Sequence, residues 1–107
     1  MPQFKPVIIT TTVAEPAEAE RIGSLLLENR LAACVQYENI RSRYMWEGKI
    51  CSDDEIRITI KTARCHFGAV EKIILQNHSY ECPQILMLPI HRGHRPYMKW
   101  FKEHTGC

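Results

Sequence analysis

Tyr44 and Trp46 stand two residues apart in a β-rich run, so both rings fall on one face of a strand, where successive side chains alternate. Rings placed this way can stack on a ligand or pack across a subunit interface, where aromatic residues are enriched. Lys49 follows across Glu47-Gly48, and Lys61 lies further along the return run. Their ammonium groups are expected either to draw an anion into the same cleft or to line a solvated strand face. A second group is His78, Tyr80 and Glu81. Imidazole and carboxylate both suit divalent metals, whereas a histidine at a helix C-terminus also interacts favourably with the helix dipole. The loop His91-Arg92-Gly93-His94-Arg95-Pro96 is the most basic patch and precedes a helix N-terminus, where backbone N–H groups favour anions. His91 and His94 have H-x-x-H spacing, but zinc takes four ligands and no others are fixed by the sequence, so a solvated loop is expected.

The five cysteines, Cys34, Cys51, Cys65, Cys82 and Cys107, are odd in number and contain no C-x-x-C. Neither a zinc knuckle nor a dithiol redox motif is indicated. Cys34, in an apolar β-rich run, is expected in the core, and Cys107 exposed and open to oxidation. The segment Met1 to Pro6 lacks an apolar h-region, so the sequence reads as cytoplasmic, with its thiols reduced.

Catalytic constellations are missing: there is no nucleophile elbow, no P-loop and no H-E-x-x-H. An acylphosphatase-like hydrolase would need a glycine-containing phosphate loop and an Arg after the first strand. The turn Val13-Ala14-Glu15-Pro16 is acidic and glycine-free. A non-enzyme is expected. With 14 basic and 12 acidic side chains, the net charge of +2 is too balanced to predict nucleic-acid or membrane binding. No stretch approaches the ~20 apolar residues of a membrane span.

The 107 residues make one domain, 1–107, without repeat or linker. Val7 to Val13 is β-branched and apolar and reads as a buried strand. Pro16 suits a first helical turn, with Glu15, Glu18 and Glu20 near its positive end; Ala19, Ile22 and Leu26 form its apolar stripe and Arg30 closes it. A β-rich run extends from Ala32 to Trp46, and Glu47-Gly48 reads as a hairpin tip. On the return strand Ile56, Ile58 and Ile60 alternate with Arg57, Thr59 and Lys61; Asp53-Asp54-Glu55 marks either a bulge or an exposed stretch. Phe67, Val70, Ile73 and Ile74 give a second helix that ends near Asn77-His78. Gln84 to Ile90 is a strand, and a helix from Pro96 is expected to bury Tyr97, Trp100 and Phe101. The order β-α-β-β-α-β plus a C-terminal helix is the α+β, ferredoxin-like arrangement. Two helices cover one sheet face; strand 1 is apolar on both, and the hairpin far exceeds the usual strand of about 5–6 residues. Both features ask for a partner subunit.

Arg30 to Val35, Tyr44 to Ile50, Lys61-Thr62, His78 to Gln84, and Leu88-Pro89-Ile90 with Gly93 and Tyr97 resemble, in order and spacing, the segments of the CutA divalent-cation tolerance family. The resemblance implies a homotrimer similar to the PII signalling proteins, a cytoplasmic role in the response to metal ions, and copper as a candidate cofactor. Some members of the family hold copper through positions that correspond to Thr11, Asn77 and His78, of which only His78 keeps a family ligand. Ser79 and Gln84 replace the family's usual Pro and Glu. Two other readings stay open: a structural trimer that needs no ligand, and a PII-like sensor of an anionic metabolite using Lys49, Lys61 and the basic loop.

Overall fold

The computed structural model describes residues 3–107; Met1 and Pro2, part of the segment read above for an export signal, lie outside the described residues. The elements are β1 (Pro6–Val13), α1 (Pro16–Glu28), β2 (Cys34–Trp46), β3 (Lys49–Ala63), a single 3-10 turn (Arg64–His66), α2 (Phe67–Asn77), β4 (Ile85–Pro89) and α3 (Arg95–Thr105). The sheet order is β2-β3-β1-β4, and all three pairings are antiparallel, as the split βαβ arrangement requires. Among the described residues, no helix is long and apolar enough to cross a membrane.

Period-2 alternation decides which face is buried. Val7, Ile9 and Val13 of β1 and Ile58 and Ile60 of β3 point to the side covered by α1 and α2. There they meet Ala19, Ile22 and Leu26 of α1 and Val70 and Ile74 of α2, all essentially excluded from solvent. Each such aliphatic side chain contributes about 1.5–3 kcal/mol. Gly23 lets α1 approach β2 closely: a Cβ there would collide with the Tyr37 phenol.

Helix α1 starts at Pro16 without a side-chain cap and ends in a Schellman motif. Leu31 N–H donates to Leu26 C=O (2.9 Å) and Arg30 N–H to Leu27 C=O (3.1 Å), with Arg30 at φ 57°. Arg30 therefore lies beyond the helix, in the left-handed position where glycine is commonest.

The hairpin tip is where the sequence placed it. Glu47 and Gly48 both have positive φ (50° and 76°), the signature of a type I′ turn whose twist matches the strands. Pairing then runs without interruption from Trp46↔Lys49 to Cys34↔Lys61. Asp53, Asp54 and Glu55 stay in register, so they form a largely exposed stretch of strand and no bulge. Strands of 13 and 15 residues carry the hairpin well past the helices. The molecule measures 49 × 26 × 21 Å with a radius of gyration of 14.7 Å, against about 13 Å for a compact domain of this length.

Helix α3 lies on the opposite face, near its Lys61 end: Lys61 Nζ donates to the Tyr97 hydroxyl at 3.3 Å. Of the three aromatics expected to be buried there, Phe101 is, packed edge-on against Phe4. Tyr97 and Trp100 stack on each other and stay 39% exposed, Phe101 being the residue of α3 that is buried. The rest of that face, including Leu86 and Leu88 of β4, is left open.

Candidate functional site

A cleft of about 840 Å³ opens where the hairpin leaves the body of the protein. One wall is the helix-free face of β2 and β3; the other is the segment between α2 and β4. The register brings Tyr44 opposite Cys51 and Trp46 opposite Lys49, so Asp53 and Glu55 share the face of the two aromatics. The Tyr44 hydroxyl donates to the Asp53 carboxylate, and the Tyr80 hydroxyl donates to Glu55 Oε2 at 2.8 Å. The Asp53 hydrogen bond is the main cause pushing the Tyr44 phenol up to about 12, aided by burial and the neighbouring negative charges. Burial first, and then the Glu55 hydrogen bond, push Tyr80 up as well. Both phenols hold their protons and serve as hydrogen-bond donors to carboxylates.

Tyr80 is aimed by the residues before it. His78 caps α2 in an extended conformation (φ −99°, ψ 137°). Its Nε2–H donates to Thr12 C=O (2.8 Å), and its Nδ1 accepts the Tyr80 N–H (3.1 Å). The imidazole and Tyr80 rings lie 4.7 Å apart. Glu18, buried on α1, accepts from both the N–H and the hydroxyl of Ser79 at 3.3 Å. Glu18 also approaches His78 Nδ1 at 3.6 Å, but that nitrogen's lone pair faces the Tyr80 N–H, so the contact is packing within a hydrogen-bonded cluster. The α2–β4 segment is thereby tied to both β1 and α1.

The positions that the family resemblance links to copper, Thr11, Asn77 and His78, are drawn inward or hydrogen-bonded in this chain. Thr11 points into the helix-covered core at 0% exposure, its Oγ1 without a hydrogen-bond partner. Asn77 spends its amide on Ile73 C=O (2.8 Å). Both His78 nitrogens are engaged, on a side chain only 1% exposed. His78, at the C-cap of α2, thus positions Tyr80 through both ring nitrogens.

Of the other residues singled out in the sequence, Tyr44, Trp46, Tyr80 and Glu81 do line one cleft. Lys49 sits beside it at the hairpin tip. Lys61 does not: twelve residues along β3, roughly 40 Å at strand rise, it is held by Tyr97. The two lysines therefore cannot gather one anion within a chain. Glu55, which lines the cleft, and Asp53, which bonds to its Tyr44, went unrecognised, although counting in twos from the Glu47-Gly48 tip places them on the face of Tyr44 and Trp46. His91 and Arg92 border a second concavity on the far side, beside Lys5 and Arg64.

Comparison with known proteins bears on this fold and cleft together. The sequence profile of the "CutA1 divalent ion tolerance protein" family matches residues 7–104. The chain is 35% identical over 100 residues to the divalent-cation tolerance protein CutA of Thermus thermophilus, covering 92% of this chain and 97% of that one. It is 40% identical over 95 residues to its counterpart in Archaeoglobus fulgidus, covering 89% and 93%. Among solved structures, CutA1 of the psychrotrophic bacterium Shewanella sp. SIB1 superposes with a TM-score of 0.89 at 34% identity, covering 95% of this chain and 96% of that chain. The Archaeoglobus fulgidus protein, described as a periplasmic divalent cation tolerance protein, superposes with a TM-score of 0.88 at 38% identity, covering 92% and 97%. Matched along nearly its whole length in both sequence and fold, the chain belongs to the CutA1 family of divalent-ion tolerance proteins.

Proposed function

We propose that this chain acts as a non-catalytic homotrimer in divalent-cation tolerance, with the Tyr44–Trp46–Tyr80–Glu81 cleft accepting a cation or small ligand at a junction between subunits. The observation that carries the proposal is the apolar surface of the hairpin. Met45 is 64%, Trp46 53% and Ile50 66% exposed, on both faces of a ribbon projecting beyond its own core. Leu86 and Leu88 add a second apolar patch on the open sheet face. Contiguous apolar surface of this kind marks an interaction site, and a closed cyclic assembly buries it without leaving a free end. Threefold closure is what the family resemblance implies.

Glu55 in the cleft, and Asp53 behind its Tyr44, each accept one phenolic hydrogen bond and keep lone pairs free, and Glu81 lines the same cleft. Oxygen donors of this sort suit hard divalent cations. A non-catalytic role is supported by the two phenols, which hold their protons and so make poor bases or nucleophiles. We place the protein in the cytoplasm, as its sequence suggests; fractionation of the native cells would test that. Relatives carry names that point elsewhere, to the chloroplast in rice and the periplasm in Archaeoglobus fulgidus.

Light scattering on the purified protein is expected to give three times the mass of the 12.5 kDa chain. Melting in the presence of Cu(II), Zn(II) or nucleotides then tests the cleft, since whatever binds only the folded state raises its stability. A cation-dependent rise that Glu55→Gln abolishes is expected. A monomeric mass would end the trimer reading. Absence of any shift across the panel would leave a structural trimer without a ligand.

A further inference from the structure

A second chemically capable cluster lies away from the cleft and is independent of it. Cys65 belongs to the 3-10 turn between β3 and α2, and Cys107 follows α3. Their sulfurs are in bonding contact as a disulfide, with Cα atoms 6.5 Å apart. His66, next to Cys65 and half-buried, reaches the same segment: its Nε2 lies 3.0 Å from Thr105 C=O. The ligand atoms of Cys65, His66 and Cys107 all fall within 4.8 Å of one another. Among the described residues, no other group of three or more His, Cys, Asp or Glu side chains meets so closely. The two cysteines are exposed, so reductants and ions have access.

We propose that Cys65, Cys107 and His66 form a site for a thiophilic d10 cation, Zn(II) or Cu(I), that opens when the disulfide is reduced. A cellular dithiol supplies two electrons and two protons, breaking the S–S bond and leaving two thiols, and is itself oxidised to a disulfide. Cation binding then displaces the two thiol protons, so that two thiolate sulfurs and one imidazole nitrogen coordinate the ion, with water as the fourth ligand of Zn(II). Soft thiolates select Zn(II) and Cu(I) over the hard cations that a carboxylate cleft prefers. At metal–sulfur bonds of about 2.3 Å and metal–nitrogen bonds of about 2.0–2.1 Å, ligand atoms around one ion stand roughly 3.5–4 Å apart. The three ligand atoms, all within 4.8 Å of one another, stand close to that spacing. Reduction lets the bonded sulfurs, about 2 Å apart in a disulfide, move apart by roughly another 2 Å, and Cys107 lies beyond the last helical turn, where such a shift disturbs no core residue. The backbone carbonyl of Thr105 fixes the imidazole's orientation, as outer-shell carbonyls do for metal-bound histidines.

Mass spectrometry without reductant is expected to show the Cys65–Cys107 bond. After reduction, the intact protein is titrated with Co(II) as a spectroscopic probe. Zn(II) and Cu(I) are then assayed separately against competing chelators, which tells the two ions apart. One cation per chain is expected, with a thiolate-to-cobalt charge-transfer band, and none while the disulfide is intact. Loss of an outer-shell partner alone weakens metal sites by about 10–100-fold, so Cys65→Ser, Cys107→Ser and His66→Gln should each weaken binding at least about tenfold. All three side chains lie outside the core, and unchanged melting of the reduced, metal-free proteins will show that the variants fold. Reduced wild-type protein that shows no thiolate–cobalt band overturns the site and leaves a disulfide staple only. So does a Cys107→Ser or His66→Gln variant with wild-type affinity.

Discussion

The two halves of β3 use the same residue type to opposite ends. Ile56, Ile58 and Ile60, next to the helices, are buried in the chain's own core, whereas Ile50, on the same strand near the tip, is 66% exposed. Its register partner Met45 is 64% exposed. The inner half of the hairpin closes a domain; the outer half carries apolar surface with nothing of its own to bury it against. Stability and assembly are thus separable along one strand, and mutations should separate them.

The largest effect is expected at the tip. Replacing both Met45 and Ile50 with glutamate removes two buried apolar side chains from the proposed interface, about 3–6 kcal/mol per chain. Light scattering should find monomers, with far-ultraviolet circular dichroism unchanged. Ile60→Ala, in the inner half, should instead cost about 3 kcal/mol through transfer and cavity terms, read by denaturant unfolding, without altering the assembled mass. Thr11→Val should move in the other direction. Its buried hydroxyl has no partner, and removing it is expected to stabilise the fold by about 1 kcal/mol.

The smallest effect lies in the alkaline range. The native state holds the Tyr44 proton more tightly than the unfolded chain does, with a pKa of about 12 against the ordinary 10.0. Its contribution to stability is complete below about pH 10 and is lost as pH rises towards 12. Tyrosinate absorbance should show a late-titrating phenol, and Tyr44→Phe should remove that phase.

Much of this architecture could be read in advance, because it follows from local periodicity. The Ile56-Ile58-Ile60 alternation, the Glu47-Gly48 tip and the Ala19-Ile22-Leu26 stripe each report a backbone geometry within a few residues. The hydrogen-bond partners could not be read that way. His78 read as a helix-terminal dipole partner or a metal ligand, and its bonds to Thr12 and Tyr80 come from strand β1 and the turn after α2. Cys65 and Cys107, 42 residues apart, meet only because α3 folds back onto the sheet. Tyr97 and Trp100 had helical spacing but insufficient facing surface, since amphipathic periodicity describes a face and not what stands opposite it. The cleft lay between these extremes. Its aromatics were visible, but the pairing of Tyr44 with Asp53 and of Tyr80 with Glu55 needed the strand register.

The strand order β2-β3-β1-β4 also governs how the chain emerges during synthesis. The first strand to appear is central in the sheet, yet Val7 must wait for Thr62 and then Pro89 before its hydrogen bonds are met. Only the β2–β3 ribbon pairs neighbours in sequence and can zip up at once. Non-local pairings are slow because loop closure precedes their reward. A growing chain therefore carries an unpaired, β-branched Val7–Val13 strand until Ala63 has been made, and one paired along a single edge until Pro89. Its last strand, β4, is thus the piece that ends the exposure of the first.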